Sequence, residues 1–154
     1  LIGGAYHRPI RFVMDRSISE MKGLKTFFKW AKTIPICSPK ADIDVYETAF
    51  KRIKEELDDG NIVCIFPEGK ITKDGNVDTF KAGIDRILKD SPVPVIPLAL
   101  DGLWGSYFSH KDGHALTTRP KRFWSRVSLT AGKLQQPQDV SAQSLESDVK
   151  SLLV

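Results

Sequence analysis

The residues best suited to chemistry lie in one short run, Ile62-Val63-Cys64-Ile65-Phe66-Pro67-Glu68-Gly69-Lys70-Ile71-Thr72. Five apolar residues rich in β-branching read as a buried strand, and Pro67-Glu68-Gly69 ends it abruptly. Such an ending brings a carboxylate, free backbone amides, an ammonium and a hydroxyl to the carboxyl end of a strand, where α/β sheets keep their sites. An anionic ligand such as a phosphate needs fixed donors, and the amides of a strand-to-loop turn together with Lys70 or Lys81 can supply them. Glu68 is itself acidic, so it suits hydroxyl binding or the orientation of a basic partner. An ordinary turn is the competing reading, because proline and glycine at this spacing also make turns that do no chemistry.

The elements around this run alternate in type. Ile10 to Met14 reads as a strand, and Asp15 to Ser19 starts a helix extending to about Lys32. In that helix Met21, Leu24, Phe28 and Ala31 form a stripe, Phe27 and Trp30 extend the apolar side, and Lys22, Lys25, Lys29 and Lys32 fall on the adjoining face. The lysines form either a solvated face over a core contact or a surface for anionic phospholipid or an acidic acyl carrier. Thr33 to Cys37 is a second strand. A helix capped by Asp42 or Asp44, with Asp44-x-x-Glu47 as a capping box, runs to Asp58 with Val45, Ala49, Phe50, Ile53 and Leu57 on one face, and Gly60 ends it.

Beyond the central run, a polar loop from Glu68 to Asp78 leads through Phe80-Lys81-Ala82-Gly83 into a helix striped by Ile84, Ile87 and Leu88 and ending near Lys89. Val93 to Leu100 is a strand whose prolines place it at an edge or a bulge, because proline cannot donate to a ladder. A long loop from Asp101 to Arg122 precedes a strand at Val127 to Ala131. A helix from about Ser141 to Leu153, with Leu145, Val149, Leu152 and Leu153 inward, closes the chain. Strands separated by helices predict an α/β fold with a mainly parallel sheet covered by helices, in one domain spanning 1–154.

Charge and composition exclude some classes and leave others. No apolar run approaches the roughly 18 to 20 residues that span a bilayer. A net charge of +4 suits an anionic membrane, a phosphorylated ligand or nucleic acid. Arginines and lysines at 8, 11, 16, 119, 121, 122 and 126 match no nucleic-acid reading motif, so nucleic acid is not the expected partner. Cys37 and Cys64 lack metal-ligand spacing and read as reduced core thiols. His110-Lys111-Asp112-Gly113-His114 has glycine and no helical periodicity where a metal pair needs a helix, so no metal and no cofactor is expected.

Phe66-Pro67-Glu68-Gly69, then Phe80-Lys81-x-Gly83, then Val93-Pro94-Val95-Ile96-Pro97 resembles, in order and spacing, the glycerolipid acyltransferases, the family of lysophosphatidate and glycerol-phosphate acyltransferases. The resemblance extends from about Arg11 to Ala131. It implies an acyltransferase that moves a fatty acyl group from acyl-ACP or acyl-CoA to a lysophospholipid, with Phe66, Pro67, Glu68, Gly69, Lys70, Thr72, Lys81 and Gly83 binding the acceptor and Pro97 shaping the site wall. Two departures, Lys70-Ile71-Thr72 in place of Thr-Arg-Ser and Cys37-Ser38-Pro39-Lys40 in place of an arginine, look like the branch acylating 2-acylglycerophosphoethanolamine. Members of that branch are fused to a transporter or a ligase, and the implied place is the cytoplasmic face of a bacterial inner membrane, peripheral or tethered by the fused domain.

The family's catalytic pair is a histidine with an aspartate five residues on. Here Phe12 follows His7 at that distance, Ala115 follows His110 and Arg119 follows His114. The pair ordinarily precedes the Arg11 strand, so the expectation is a chain cut just after it, with no catalytic residue of its own and no transfer activity alone. The alternative is a phospholipid- or phosphate-binding module without catalysis.

Overall fold

A computed structural model describes residues 2–4, 7–20, 25–69, 76–102 and 127–153. The chain forms two compact units, each built from separated stretches: 1–66 with 86–93, and 67–85 with 94–154.

The first unit is a three-stranded parallel sheet. Strand β1 (Ile10–Asp15) lies between β2 (Ile34–Ile36) and β3 (Ile62–Cys64), in the order β2-β1-β3. Val13 faces Ile34 across one pairing and Ile10 faces Ile62 across the other. Parallel neighbours need crossovers, and helix α3 (Ile43–Asp58) makes the long one from β2 to β3. Its stripe is the expected one: Ala49, Phe50 and Ile53 are buried in a core with Val13, Ile34 and Ile87, and Tyr46 and Leu57 pack at its margin. Asp42 caps α3, its carboxylate accepting from the Val45 amide at 3.1 Å. Asp44 therefore sits inside the first turn and forms no capping box with Glu47, whose carboxylate instead receives the Arg86 guanidinium. Gly60 follows the helix with φ of 75°, the left-handed position that glycine takes most cheaply.

The stretch expected as one helix to Lys32 contains a short α1 (Arg16–Ser19), capped by Asp15, and α2 (Lys25–Trp30). Met21, Lys22 and Leu24, with the side chains of Lys25 and Phe27, lie outside the described residues. Trp30 does not extend the apolar side but stands in solvent. The end of α2 is a Schellman closure: the Thr33 amide donates to Phe28 O and the Lys32 amide to Lys29 O. Lys32 occupies the left-handed position of that closure, φ 51°, at a cost of roughly 1 kcal/mol against glycine. β3 is shorter than its apolar run, since Ile65 and Phe66 leave the ladder. Cys64, at its end, is a free thiol pushed up to about 11 by burial, hence protonated at neutral pH and no nucleophile.

Helix α4 (Gly83–Asp90) begins in the second unit and ends in the first. Within the first unit, Arg86 stacks 4.2 Å over the Phe50 ring and forks onto Glu47.

The second unit pairs β4 (Leu98–Asp101) with β5 (Ser128–Ala131) in antiparallel register, Leu100 opposite Leu129. Pro94 and Pro97 delay the expected strand, because neither can donate; ahead of β4 only Val95 pairs, forming a bridge with Gln135. Helix α5 (Ala142–Ser151) opens with Ser141 and Ser144 in a reciprocal cap and buries Ala142 and Leu145. Val149 and Leu152 are half-buried, while Leu153, expected inward, falls past the last turn and is exposed.

Candidate functional site

The end of β3 leads into the second unit at Pro67. There the chain leaves a ladder and must satisfy its backbone elsewhere. The Pro67 carbonyl accepts from the Lys81 amide at 2.9 Å, and Glu68 Oε2 accepts from the Asp78 amide at 2.9 Å. These two bonds close the loop at its neck, drawing residues 67–69 beside 78–81. The Glu68 carboxylate is half-buried, and this bond gives it a specific duty: it holds the returning limb of the loop.

Gly69 has φ of 64°, a conformation that an L side chain adopts only under strain. A second constraint comes from Lys81, whose chain crosses this backbone. A Cβ on Gly69 would lie 2.5 Å from Lys81 Nζ, 3.0 Å from Cε and 3.1 Å from Cδ. The absence of a side chain at 69 is thus what lets the Lys81 ammonium rest on the strand-exit loop. Lys81 is exposed and has no ion-pair partner among the described residues, so its charge can meet an anion.

Phe80, the neighbour of Lys81, is held by a residue that the sequence reading missed. Glu146, on α5, accepts from the Phe80 amide at 3.0 Å through Oε2 and from Lys150 Nζ through Oε1. These donors, the lysine first and the amide second, hold the Glu146 carboxyl below the usual range. A second tie joins the same two segments, the Ala142 amide donating to Asp85 Oδ1 at 2.9 Å. The segment from Phe80 to Asp85 is therefore bound at both ends to the helix that closes the chain. Glu146 lies 66 positions from Phe80, and the only sign of it in the sequence is a carboxylate four residues before Lys150, the common mark of a solvated helix.

Of the nine residues expected at the acceptor site, Pro67, Glu68, Gly69 and Lys81 meet in this loop, with Gly83 two residues on at the first turn of α4. Phe66 precedes them and is exposed. Lys70 and Thr72 lie outside the described residues, as do Ile71 and the His110–His114 segment. Pro97 is buried; its ring occupies the space that a side chain at 132 would fill, 2.8 Å from such a Cβ, and its carbonyl accepts from the Gly132 amide. No group of three or more metal-ligating side chains gathers among the described residues, and no helix there is long and apolar enough to cross a membrane.

The family described as Acyltransferase matches residues 1–101. A chloroplastic 1-acyl-sn-glycerol-3-phosphate acyltransferase, BAT2, of Brassica napus is 38% identical over 64 residues, covering 42% of this chain and 17% of that protein. Tafazzin of Drosophila melanogaster is 34% identical over 79 residues, covering 50% and 20%. The crystal structure of the 1-acyl-sn-glycerophosphate acyltransferase PlsC from Thermotoga maritima superposes with a TM-score of 0.62 at 20% identity, over 92% of this chain and 54% of that one. That likeness establishes the fold, an α/β glycerolipid acyltransferase-like fold. The chain thus spans a fifth or less of the curated relatives and about half of the solved one.

Proposed function

This chain belongs to the acyltransferase family, and from that premise we propose that its strand-exit loop holds the phosphate-bearing headgroup of a lysophospholipid while a fatty acyl group is passed to the acceptor hydroxyl from an acyl-ACP or acyl-CoA thioester. One observation carries the reading: an exposed lysine is laid across a glycine in the loop that follows the parallel strand β3. The ammonium of Lys81 offers the fixed charge that a phosphate needs, and the loop backbone offers amide donors beside it. Glu68 acts by shaping this loop through the Asp78 amide and does not itself touch the phosphate. Ile71 stands where relatives in the resemblance carry an arginine, which removes a two-pronged phosphate ligand and suits a phosphodiester such as phosphoethanolamine better than a bare phosphate.

In the transfer, the acceptor hydroxyl oxygen attacks the thioester carbonyl carbon, the carbon–sulfur bond breaks, the thiolate leaves, and the hydroxyl proton passes to a base. No histidine of the chain has an aspartate five residues on, so the base is proposed to come from outside these 154 residues, at a membrane surface where the lipid acceptor resides. The same observation suits the second reading, a headgroup-binding module without catalysis.

Two measurements test the proposal. Titration of the chain with glycerophosphoethanolamine and with glycerol 3-phosphate should show binding that Lys81→Ala weakens; equal binding by that variant refutes the site. Incubation with acyl thioester and lysophosphatidylethanolamine should give no transfer, and turnover by these residues alone refutes the external base.

A further inference from the structure

Glu146 is a carboxylate in an unusual setting for a helix surface. Its side chain is only 19% exposed, although the i,i+4 pair it forms with Lys150 would be made as well in open solvent. Taking a carboxylate out of water is costly unless its oxygens are satisfied, and the second oxygen is satisfied by the Phe80 amide, 66 positions away. The next amide, that of Lys81, is held by the Pro67 carbonyl. Two consecutive peptide planes are therefore pinned, one to α5 and one to the strand-exit loop, and between planar peptides only φ and ψ of Phe80 are left to set where Lys81 starts. From that start the Lys81 chain runs over Gly69, with Cδ, Cε and Nζ all within 3.1 Å of the point a Cβ there would occupy. Glu146 also lies beyond residues 1–101, the stretch the family matches, so membership gives it no part.

We propose that Glu146 is a positioning residue for the headgroup site: by holding the Phe80 amide it keeps the Lys81 ammonium over Gly69, and so makes acceptor affinity depend on α5. The inference rests on the reading of Lys81 as the headgroup's cationic ligand. Without the carboxylate, the first of the two pinned planes is free to rotate, Lys81 hangs from the single bond to Pro67, and its ammonium leaves the loop for water. What Phe80 requires is an acceptor oxygen at the reach of a glutamate side chain, whereas Lys150 requires only a negative charge one turn away. These two duties separate by substitution. Glutamine keeps the oxygen at the same reach and loses the charge; aspartate keeps the charge and falls one methylene short of the amide.

Calorimetric titration with glycerophosphoethanolamine is the test. Glu146→Ala and Glu146→Asp should each bind roughly tenfold more weakly than wild type, within the range by which contacting groups couple, and Glu146→Gln should bind as wild type does. In a Lys81→Ala background, Glu146→Ala should cause no further loss, because the lysine through which it acts is gone. Asp148→Ala is the control for α5 itself: the Asp148 carboxylate accepts from Gln135 Nε2 at 2.7 Å, so its removal loosens the helix elsewhere and should lower the melting temperature while leaving affinity unchanged. An ion-pair role alone gives the reverse order, aspartate retaining affinity and glutamine losing it. That order overturns the proposal, as does a Glu146→Ala loss that persists without Lys81 or one that Asp148→Ala matches. Lys81→Ala binding as tightly as wild type sinks the headgroup reading and this one together; weakening by Lys81→Ala with wild-type binding by Glu146→Ala sinks this one alone.

Discussion

Replacing Gly69 by alanine separates two costs that this loop combines. The first is conformational: at φ of 64° an L residue is disfavoured by roughly 1–2 kcal/mol, partly offset because alanine narrows the unfolded ensemble by about 0.4–1 kcal/mol. Gly60→Ala isolates that cost, since Gly60 has a similar φ of 75° with nothing within 4 Å of an added Cβ. The second cost is steric, because the new methyl meets the Lys81 chain at 2.5–3.1 Å. The atoms met are the far end of a flexible side chain, so Lys81 swings away at about 0.5–1.5 kcal/mol of rotamer strain, and no backbone need move. Net losses of about 1 kcal/mol for Gly60→Ala and about 2 kcal/mol for Gly69→Ala follow, with the melting point falling about 2–4 °C for each kcal/mol in a chain of this length. Urea denaturation of Gly69→Ala, Lys81→Ala and the double variant measures the excess directly: the double variant should recover about 1 kcal/mol, a coupling absent between Gly60→Ala and Lys81→Ala. Gly69→Ala should also weaken headgroup binding as much as Lys81→Ala does, because both take the ammonium off the loop. Equal losses from the two alanine variants, with no coupling to Lys81 and undiminished headgroup binding, would show that the lysine's position over Gly69 has no consequence.

Truncating Ile53, which is 1% exposed in the core of the first unit, should cost about 2–5 kcal/mol in chemical denaturation. Asp42→Ala should destabilise by about 1 kcal/mol through loss of the α3 cap, whereas Asp44→Ala should have a smaller effect, as helix content on urea titration will show. Glu146 has a folded pKa below its unfolded value, so its stabilising contribution is complete above the ordinary carboxylate range and disappears as the pH falls through the folded pKa. Glu146→Gln should accordingly flatten the acid limb of the stability curve, and Glu146→Ala should in addition weaken headgroup binding by releasing Phe80 and its neighbour Lys81.

Local rules went far with the first unit. The stripe Ala49-Phe50-Ile53 follows from a 3.6-residue period, and the end of α3 from a glycine at a position that requires positive φ. They did less well where chain termini of elements depend on partners: Ile65 and Phe66 are as apolar as Ile62 but leave the ladder, and Val93 to Pro97 carries strand-forming residues whose prolines cannot bond. Asp42 and Asp44 were both competent caps in sequence, and the choice between them was made by where the first turn of α3 begins.

The loop from Phe66 to Gly69 and the strip from Phe80 to Gly83 were legible as candidate site segments because glycine, proline and charged residues interrupt apolar runs there for reasons that act within a few residues. That Lys81 lies on Gly69, that Glu68 bonds the Asp78 amide, and that Glu146 holds Phe80 were decided by tertiary structure alone. Backbone torsions and periodicity are local and can be read along the chain. A side-chain carboxylate accepts from whichever amide the folded chain brings within 3 Å, and no sequence spacing specifies which amide that is.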